Sequence, residues 1–300
     1  ISLHNRSSID IGSRPSTVPV DVCQDWSMGT PEVIGGIHAG WVQDALGRPV
    51  TAIEVVPIAA GEGFMGQLAR VLVTSPDAAA PPSVIVKLPT SDPGGRLVGE
   101  MMRVWEREHC FYRDLAGDLS IRVPDVHLNT LEPPCLVLED LAPSIAGDHL
   151  AGATPEQARR SIDVLAQLHA SWFEHPRLAT LDWLPGLDDP SVLNLAPMFE
   201  LGWPGFLDRY ADELPARCLR WCEAFVPTIP TWIEGHRSDP VTLIHGDFRL
   251  DNLFFGADDS LAVVDWQLSM RAPGQTDLVY FCANNLTVPD RRRFEDELIE

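Results

Sequence analysis

In the first half of the chain, apolar, β-rich runs bounded by turn residues predict strands. "PVTAIEVVPI" (49–58) and "QLARVLVTS" (67–75) are rich in β-branched residues, and "VIVKLP" (84–89) follows the turn "PDAAAPPS" (76–83). The spacing changes to three and four over 94–117, where Leu97, Met101, Val104, Phe111 and Leu115 share one stripe. That pattern predicts a single helix stopping at Gly117. "VPDVHLN" (123–129) and "PCLVLED" (134–140) predict two more strands. Beyond them the chain reads as helical. Thr154, Pro155 and Gln157 stand in the order N-cap, first helical position and capping box, and Ile162, Leu165, Leu168 and Trp172 form the buried stripe that follows. Residues 193–235 are helical or irregular and rich in aromatics. "VTLIHGDFRLDNLFFGADDSLAVVDWQ" (241–267) returns to short strands around a loop and a turn, and "TDLVYFCANNL" (276–286) and "PDRRRFEDELIE" (289–300) predict two last helices.

Strands around one helix followed by mostly helices predict an α+β fold of two lobes. One is a small antiparallel sheet lobe with a helix, the other a larger, mainly helical lobe. The expected division is a polar arm over 1–20, a small lobe over 21–141 and a large lobe over 142–300. The lobes join through "LEDLAP" (138–143), and a ligand cleft is expected at the junction. The absence of an initiator Met, and a last helix without a C-cap, lead us to expect a natural chain continuing past both ends.

Composition excludes some partners. The net charge of −21 repels nucleic acid and anionic membranes. The same acidity either favours a cationic ligand or serves solubility alone. No apolar run approaches the roughly 18 residues of a membrane span. The six cysteines are scattered with no CxxC pair, as expected for reduced thiols in the cytoplasm.

Lys87 is the sole lysine of the chain, in the middle of the apolar strand "VIVKLP". An unpaired ammonium there costs several kcal/mol, so it requires a carboxylate. Glu108 completes the inward stripe 104, 108, 111, 115, whereas Glu106 faces water. Glu108 is therefore the expected partner, with pairing to Arg107 or Arg113 as the alternative. "GEGFMG" places Gly61, Gly63 and Gly66 in a GxGxxG pattern. A dinucleotide-binding unit would need a helix directly afterwards, and here a strand follows. A hairpin closing its backbone over phosphates fits instead.

The most specific stretch is "LIHGDFRLDNLFF". Asp247 and Asn252 stand five apart after His245, and Asp265 follows thirteen residues beyond Asn252 in "AVVDW". These oxygens converge if the two short strands pair across "GADDS". Such a cluster needs a cation, and Mg²⁺ suits one or two carboxylates shared with phosphate oxygens. Asp247 would accept the proton of an attacking hydroxyl, while Asn252 and Asp265 would hold the metal.

With these motifs the chain resembles the aminoglycoside phosphotransferase and choline kinase superfamily, small-molecule kinases of protein-kinase-like fold. "HGDFRLDNLFF", "VVDWQ" and "EHCFY" look most like its ecdysteroid kinase-like branch and bacterial relatives. The resemblance spans about residues 50–285. It implies an ATP-dependent phosphotransferase, with GTP left open as donor, acting with Mg²⁺ on a small-molecule hydroxyl. It puts Gly61, Gly63 and Gly66 over the phosphates, Lys87 on the α- and β-phosphates, and the backbone of Glu139 and Leu141 at the adenine. Asp247 becomes the base, Asn252 and Asp265 the metal ligands, and Asp277 a brace for the catalytic loop; His169 reads as packing. Where many relatives carry a His two residues after the catalytic Asp, this chain has Arg249. It either neutralises the transferred phosphoryl group or pairs with an acid such as Asp251. The aromatics Phe199, Trp203, Phe206, Tyr210, Trp221, Phe225 and Trp232 read first as core, or else as the lining of a lipophilic acceptor site. Asp188, Asp189, Asp208 and Asp212 read as a solvated face, or as anchors for an aminoglycoside or amino alcohol. A nucleotide-binding pseudokinase is the reading from another class, and it retains none of the losses that would favour it.

Overall fold

The computed structural model describes residues 29–58 and 65–299. Gly61, Gly63, Cys23 and the expected arm over 1–20 lie outside the described residues.

Helix α1 (Ala39–Leu46) opens the small lobe. The His38 ring caps it by accepting from the Trp41 amide, and Gly47 ends it in the left-handed region at φ 60°. Five strands follow: β1 (Ala52–Ile58), β2 (Gly66–Thr74), β3 (Ser83–Pro89), β4 (Val126–Leu131) and β5 (Pro134–Glu139). They form one antiparallel sheet in the order β1-β2-β3-β5-β4. Trp41, Val42 and Ala45 of α1 pack against Val84, Val86 and Leu88 of β3. Since strand side chains alternate faces, Ile85 and Lys87 point the other way, and Ile85 joins the core of the large lobe. The period that buries three β3 residues under α1 thus turns Lys87 toward the cleft.

The helix expected over 94–117 is two, α2 (Pro93–Met101) and α3 (Val104–Asp114), broken at Arg103 with φ 52°. The stripe divides accordingly. Val104, Phe111 and Leu115 are buried, but Leu97 and Met101 are 60% and 50% exposed, because they belong to the separately oriented α2. The fold of α2 onto α3 needs a glycine: a Cβ on Gly99 would lie 2.8 Å from the Trp105 ring. Helix α1 was not legible beforehand, since its eight residues expose only a short apolar pattern.

The large lobe begins with β6 (Ile145–Ala146) and α4 (Pro155–Trp172), whose capping box forms between Thr154 and Gln157 as the sequence predicts. Helices α5 (Pro190–Leu193), α6 (Leu195–Tyr210), α7 (Ala216–Phe225) and α8 (Ile229–Gly235) follow. Strands β7 (Thr242–Ile244), β8 (Leu253–Phe255), β9 (Leu261–Val263) and β10 (Met270–Ala272) make two small sheets, β10-β7 and β6-β8-β9. Helices α9 (Gln275–Asn285) and α10 (Val288–Ile299) close the described chain. This is the expected two-lobed α+β fold. One core runs between the lobes, from Phe111 and Leu136 to Leu165, Leu253 and Trp266.

The aromatics over 197–232 are not core. Phe199, Trp203 and Phe206 stack in succession along α6 with Tyr210 tilted against Phe206, and Trp221, 62% exposed, stacks on Phe225. Their i, i+3 and i+4 spacing generates the ladder, which is half-buried at Phe199, Trp203 and Phe225 and exposed at Phe206, Tyr210 and Trp221.

Candidate active site

The site begins with an ion triad across the cleft. Lys87 Nζ lies 2.6 Å from Glu108 Oε2 and 2.5 Å from Asp265 Oδ1. Glu108 is 2% exposed, so of its two expected pairings the one with Lys87 holds and those with Arg107 and Arg113 do not. Burial works to discharge Lys87, but Asp265 and Glu108 outweigh it and hold the ammonium above the ordinary lysine range. Burial pushes Glu108 up to about 7, with Lys87 pulling against it. One ammonium thus joins a strand, a helix and the second residue after β9, drawn from both lobes. One turn further along the same face of α3, Phe111 stacks on Trp266 at 4.0 Å.

Asp265 reaches the triad from the left-handed region, at φ 67°. Strands β8 and β9 pair as the hairpin foreseen across "GADDS", Leu253 opposite Val263. The next residue, Val264, ties that hairpin to the catalytic loop. Its amide donates to Asn252 O at 3.0 Å and its carbonyl accepts from His245 Nε2 at 2.9 Å. The second ring nitrogen of His245 accepts from the Asp247 amide at 3.2 Å. His245 is therefore a buried strut in a fixed tautomer. Gly246, at φ 81°, passes so close to the Leu268 carbonyl that a side chain would collide with it.

Asp247 is mostly buried, with donors on both oxygens. Asn252 Nδ2 donates to Oδ2 at 3.1 Å and also to the Asp247 carbonyl at 2.9 Å. With its amide nitrogen so engaged, Asn252 keeps its side-chain oxygen free to accept a cation. Tyr280 donates to Asp247 Oδ1 at 2.8 Å. Arg249 stands between two acids, Nε 3.5 Å from Asp247 Oδ2 and Nη2 3.6 Å from Asp251 Oδ2. Asp277 is buried and accepts the amides of His245 at 2.7 Å and Gly246 at 2.9 Å. His169 touches Asp277 at 3.3 Å from α4.

At the lobe junction, Glu139 gives its amide to Asp125 O at 2.8 Å and its carboxylate to Arg122 at 2.5 Å. The Leu141 carbonyl accepts from Ser144 at 2.9 Å, and its amide donates to no group among the described residues. Gly66 starts β2, opposite Pro89. Of the four acids proposed as a solvated face or amine anchors, Asp189 is structural: it caps α5 and pairs with Arg103 at 3.1 Å.

Residues 65–300 match the phosphotransferase enzyme family. The chain belongs to that family. Its fold also matches a spectinomycin phosphotransferase solved with ADP and spectinomycin, at 16% identity and a TM-score of 0.53, over 88% of this chain and 80% of that one. The APH(2″)-IIa protein of a ternary complex with streptomycin and ATP matches at 14% identity and a TM-score of 0.52, over 87% and 82%. A stretch of 88 residues is 34% identical to acyl-CoA dehydrogenase family member 10 of Mus musculus. That stretch is 25% of this chain and spans only 8% of the mouse protein.

Within this member of the family, Lys87, Glu108 and Asp265 come together, as do Asp247, Asn252 and Arg249. Sequence reasoning passed over Tyr280 and Trp105. Tyr280 follows Asp277 by three residues, one helical turn, and that spacing was a usable signal. Trp105 donates from α3 to the Met65 carbonyl at 3.1 Å, next to the glycine-rich stretch, and nothing local in the sequence announced it. No helix of the described residues is long and apolar enough to cross a membrane.

Proposed function

We propose that this chain transfers the γ-phosphoryl group of ATP to a hydroxyl of a small molecule. The observation that carries the reading is the Lys87 ammonium held between Glu108 and Asp265, beside a separately anchored Asp247. A cation gripped by two carboxylates, next to an acid with fixed geometry, suits a substrate that brings both phosphates and a hydroxyl.

In this reading Asp247 takes the acceptor's proton as the new O–P bond forms and the bond to the leaving ADP breaks. Lys87 contacts the α- and β-phosphates, with Glu108 keeping it aimed. Arg249, within reach of Asp247 and of Asp251, offsets negative charge on the phosphoryl group in flight. The backbone of Glu139 and Leu141 meets the adenine, and the unengaged Leu141 amide supports that assignment. Gly61, Gly63 and Gly66 cover the phosphates. The donor set fits Mg²⁺: Asn252 offers a free amide oxygen and Asp265 a carboxylate, both hard oxygen ligands. When bound, the metal supplies positive charge to the phosphates.

For the acceptor, the partly exposed stacked aromatics of α6 and α7 favour a molecule with an apolar face over a small polyamine. The test is γ-labelled ATP with Mg²⁺ against sterols, aminoglycosides, amino alcohols and sugars. Label should move to at least one hydroxyl compound, and Asp247→Asn should lower that rate by about a thousandfold while Mg²⁺–ADP still raises the melting temperature. Nucleotide stabilisation without transfer to any compound would instead favour the pseudokinase reading.

A further inference from the structure

Helix α9 lies along the catalytic loop and touches it at successive turns. Asp277 accepts the amides of His245 and Gly246. Tyr280 donates to Asp247 Oδ1 at 2.8 Å. Asn285 accepts the Leu250 amide at 2.8 Å through its side chain. Between the last two, Phe281 packs on Phe248, ring centres 5.9 Å apart. Positions 277, 280, 281 and 285 share one helical face, so loop residues 245 to 250 are matched in order along that face. Three of these contacts go to backbone or to a buried ring. Tyr280 alone in this series reaches a side chain to which the proposed chemistry assigns a reacting atom.

From this geometry we infer that Tyr280 is a positioning residue that selects which oxygen of Asp247 receives the acceptor's proton. The inference rests on the phosphotransfer reading above. Oδ2 accepts one hydrogen bond, from Asn252 Nδ2 at 3.1 Å, and also lies 3.5 Å from the Arg249 guanidinium, an ion-pair contact without hydrogen-bond geometry. Oδ1 accepts from the Tyr280 hydroxyl and keeps a lone pair for an incoming hydroxyl. The carboxylate is thereby held from both sides and cannot swing about its Cβ–Cγ bond without breaking a hydrogen bond. Burial and the adjacent Asp247 push the Tyr280 hydroxyl up to about 12, so it keeps its proton and remains a donor throughout turnover. An acceptor approaching Oδ1 passes beside this hydroxyl, which makes Tyr280 part of the wall that orients it.

The test uses Tyr280→Phe, which deletes one oxygen and keeps the ring. The readout is ATP hydrolysis with Mg²⁺ and water as the hydroxyl acceptor, with Mg²⁺–ADP thermal shift run in parallel. Tyr280→Phe should lower kcat about tenfold, with KM for ATP and the ADP shift within twofold of the parent protein. In the Asp247→Asn background the same change should have no further effect, because its target is already gone. Tyr280→Phe with parental kcat, a loss that adds in full to that of Asp247→Asn, or a variant that no longer responds to Mg²⁺–ADP would each overturn the inference. Failure of the underlying reading looks different: the parent protein itself then neither hydrolyses ATP above the uncatalysed rate nor responds to Mg²⁺–ADP, and the inference falls with it.

Discussion

His109 follows Glu108 on α3, and the two neighbours titrate in opposite senses. Burial pushes His109 down to about 4, although its Nδ1 lies 2.5 Å from Asn129 Oδ1. The folded protein keeps this ring neutral, while the unfolded chain protonates it near the ordinary histidine value of about 6.5. Between these values the unfolded state binds more protons, so the His109 contribution is lost as pH falls. Glu108, raised to about 7, works the other way over much of the same range, since there the folded state binds the extra proton. The pH curve of one protein therefore hides both. Comparing it with His109→Gln separates them. Relative to that variant, the parent should lose about 2 kcal/mol between pH 7 and pH 5 in urea unfolding. A difference that stays flat across this range would mean that the ring titrates normally.

At the scale of elements, the break between α2 and α3 carries the consequence. A continuous helix over 94–117 would leave Trp105 without its packing against Gly99. Instead the ring lies over that glycine, and its indole N–H holds the Met65 carbonyl at 3.1 Å. Gly99→Ala inserts a methyl 2.8 Å from the ring, so either the helices separate or the indole moves off Met65. The expected cost is about 1–3 kcal/mol of stability. A several-fold rise in KM for ATP should accompany it, because Met65 adjoins the glycine-rich stretch. An unchanged KM with reduced stability would separate the packing from the nucleotide site. The strands behaved differently from these helices. Residues 49–58, 67–75 and 84–89 are apolar, β-rich runs between turn residues, so the strands were legible in the sequence, and their pairing bears them out. A stripe of period 3.6 cannot reveal a break that occurs between two of its own turns.

Across the whole molecule, α3 is moored to the large lobe by arginines as well as by Lys87. Arg103 pairs with Asp189 at 3.1 Å, and Arg107 donates to Ser191 Oγ at 2.6 Å. Arg107 is almost fully buried, and burial together with Arg103 lowers it to about 10. Its Nε has no hydrogen-bond partner, so Ser191 satisfies much of what this guanidinium needs. Ser191→Ala should cost about 1–3 kcal/mol, the penalty for an orphaned buried donor. Adding Arg107→Met should recover part of that loss, since the buried charge then goes too. A double variant weaker than Ser191→Ala would show that the guanidinium is satisfied by other means. Because α5 precedes the aromatic helices and α3 carries Glu108, this contact joins the proposed acceptor side to the helix of the Lys87 triad.

The chain alone was enough for the α+β order, the partnership of Lys87 with Glu108 and the family signature of Asp247, Asn252 and Asp265. Each of these is written in local period or in residue type at fixed spacing. The αL turn at Arg103, the exposure of the α6 ladder, the Trp105–Met65 bond and the reach of Tyr280 to Asp247 were decided in three dimensions. They depend on which surfaces meet across tens of residues, and no spacing along one element records what the opposite element brings to it.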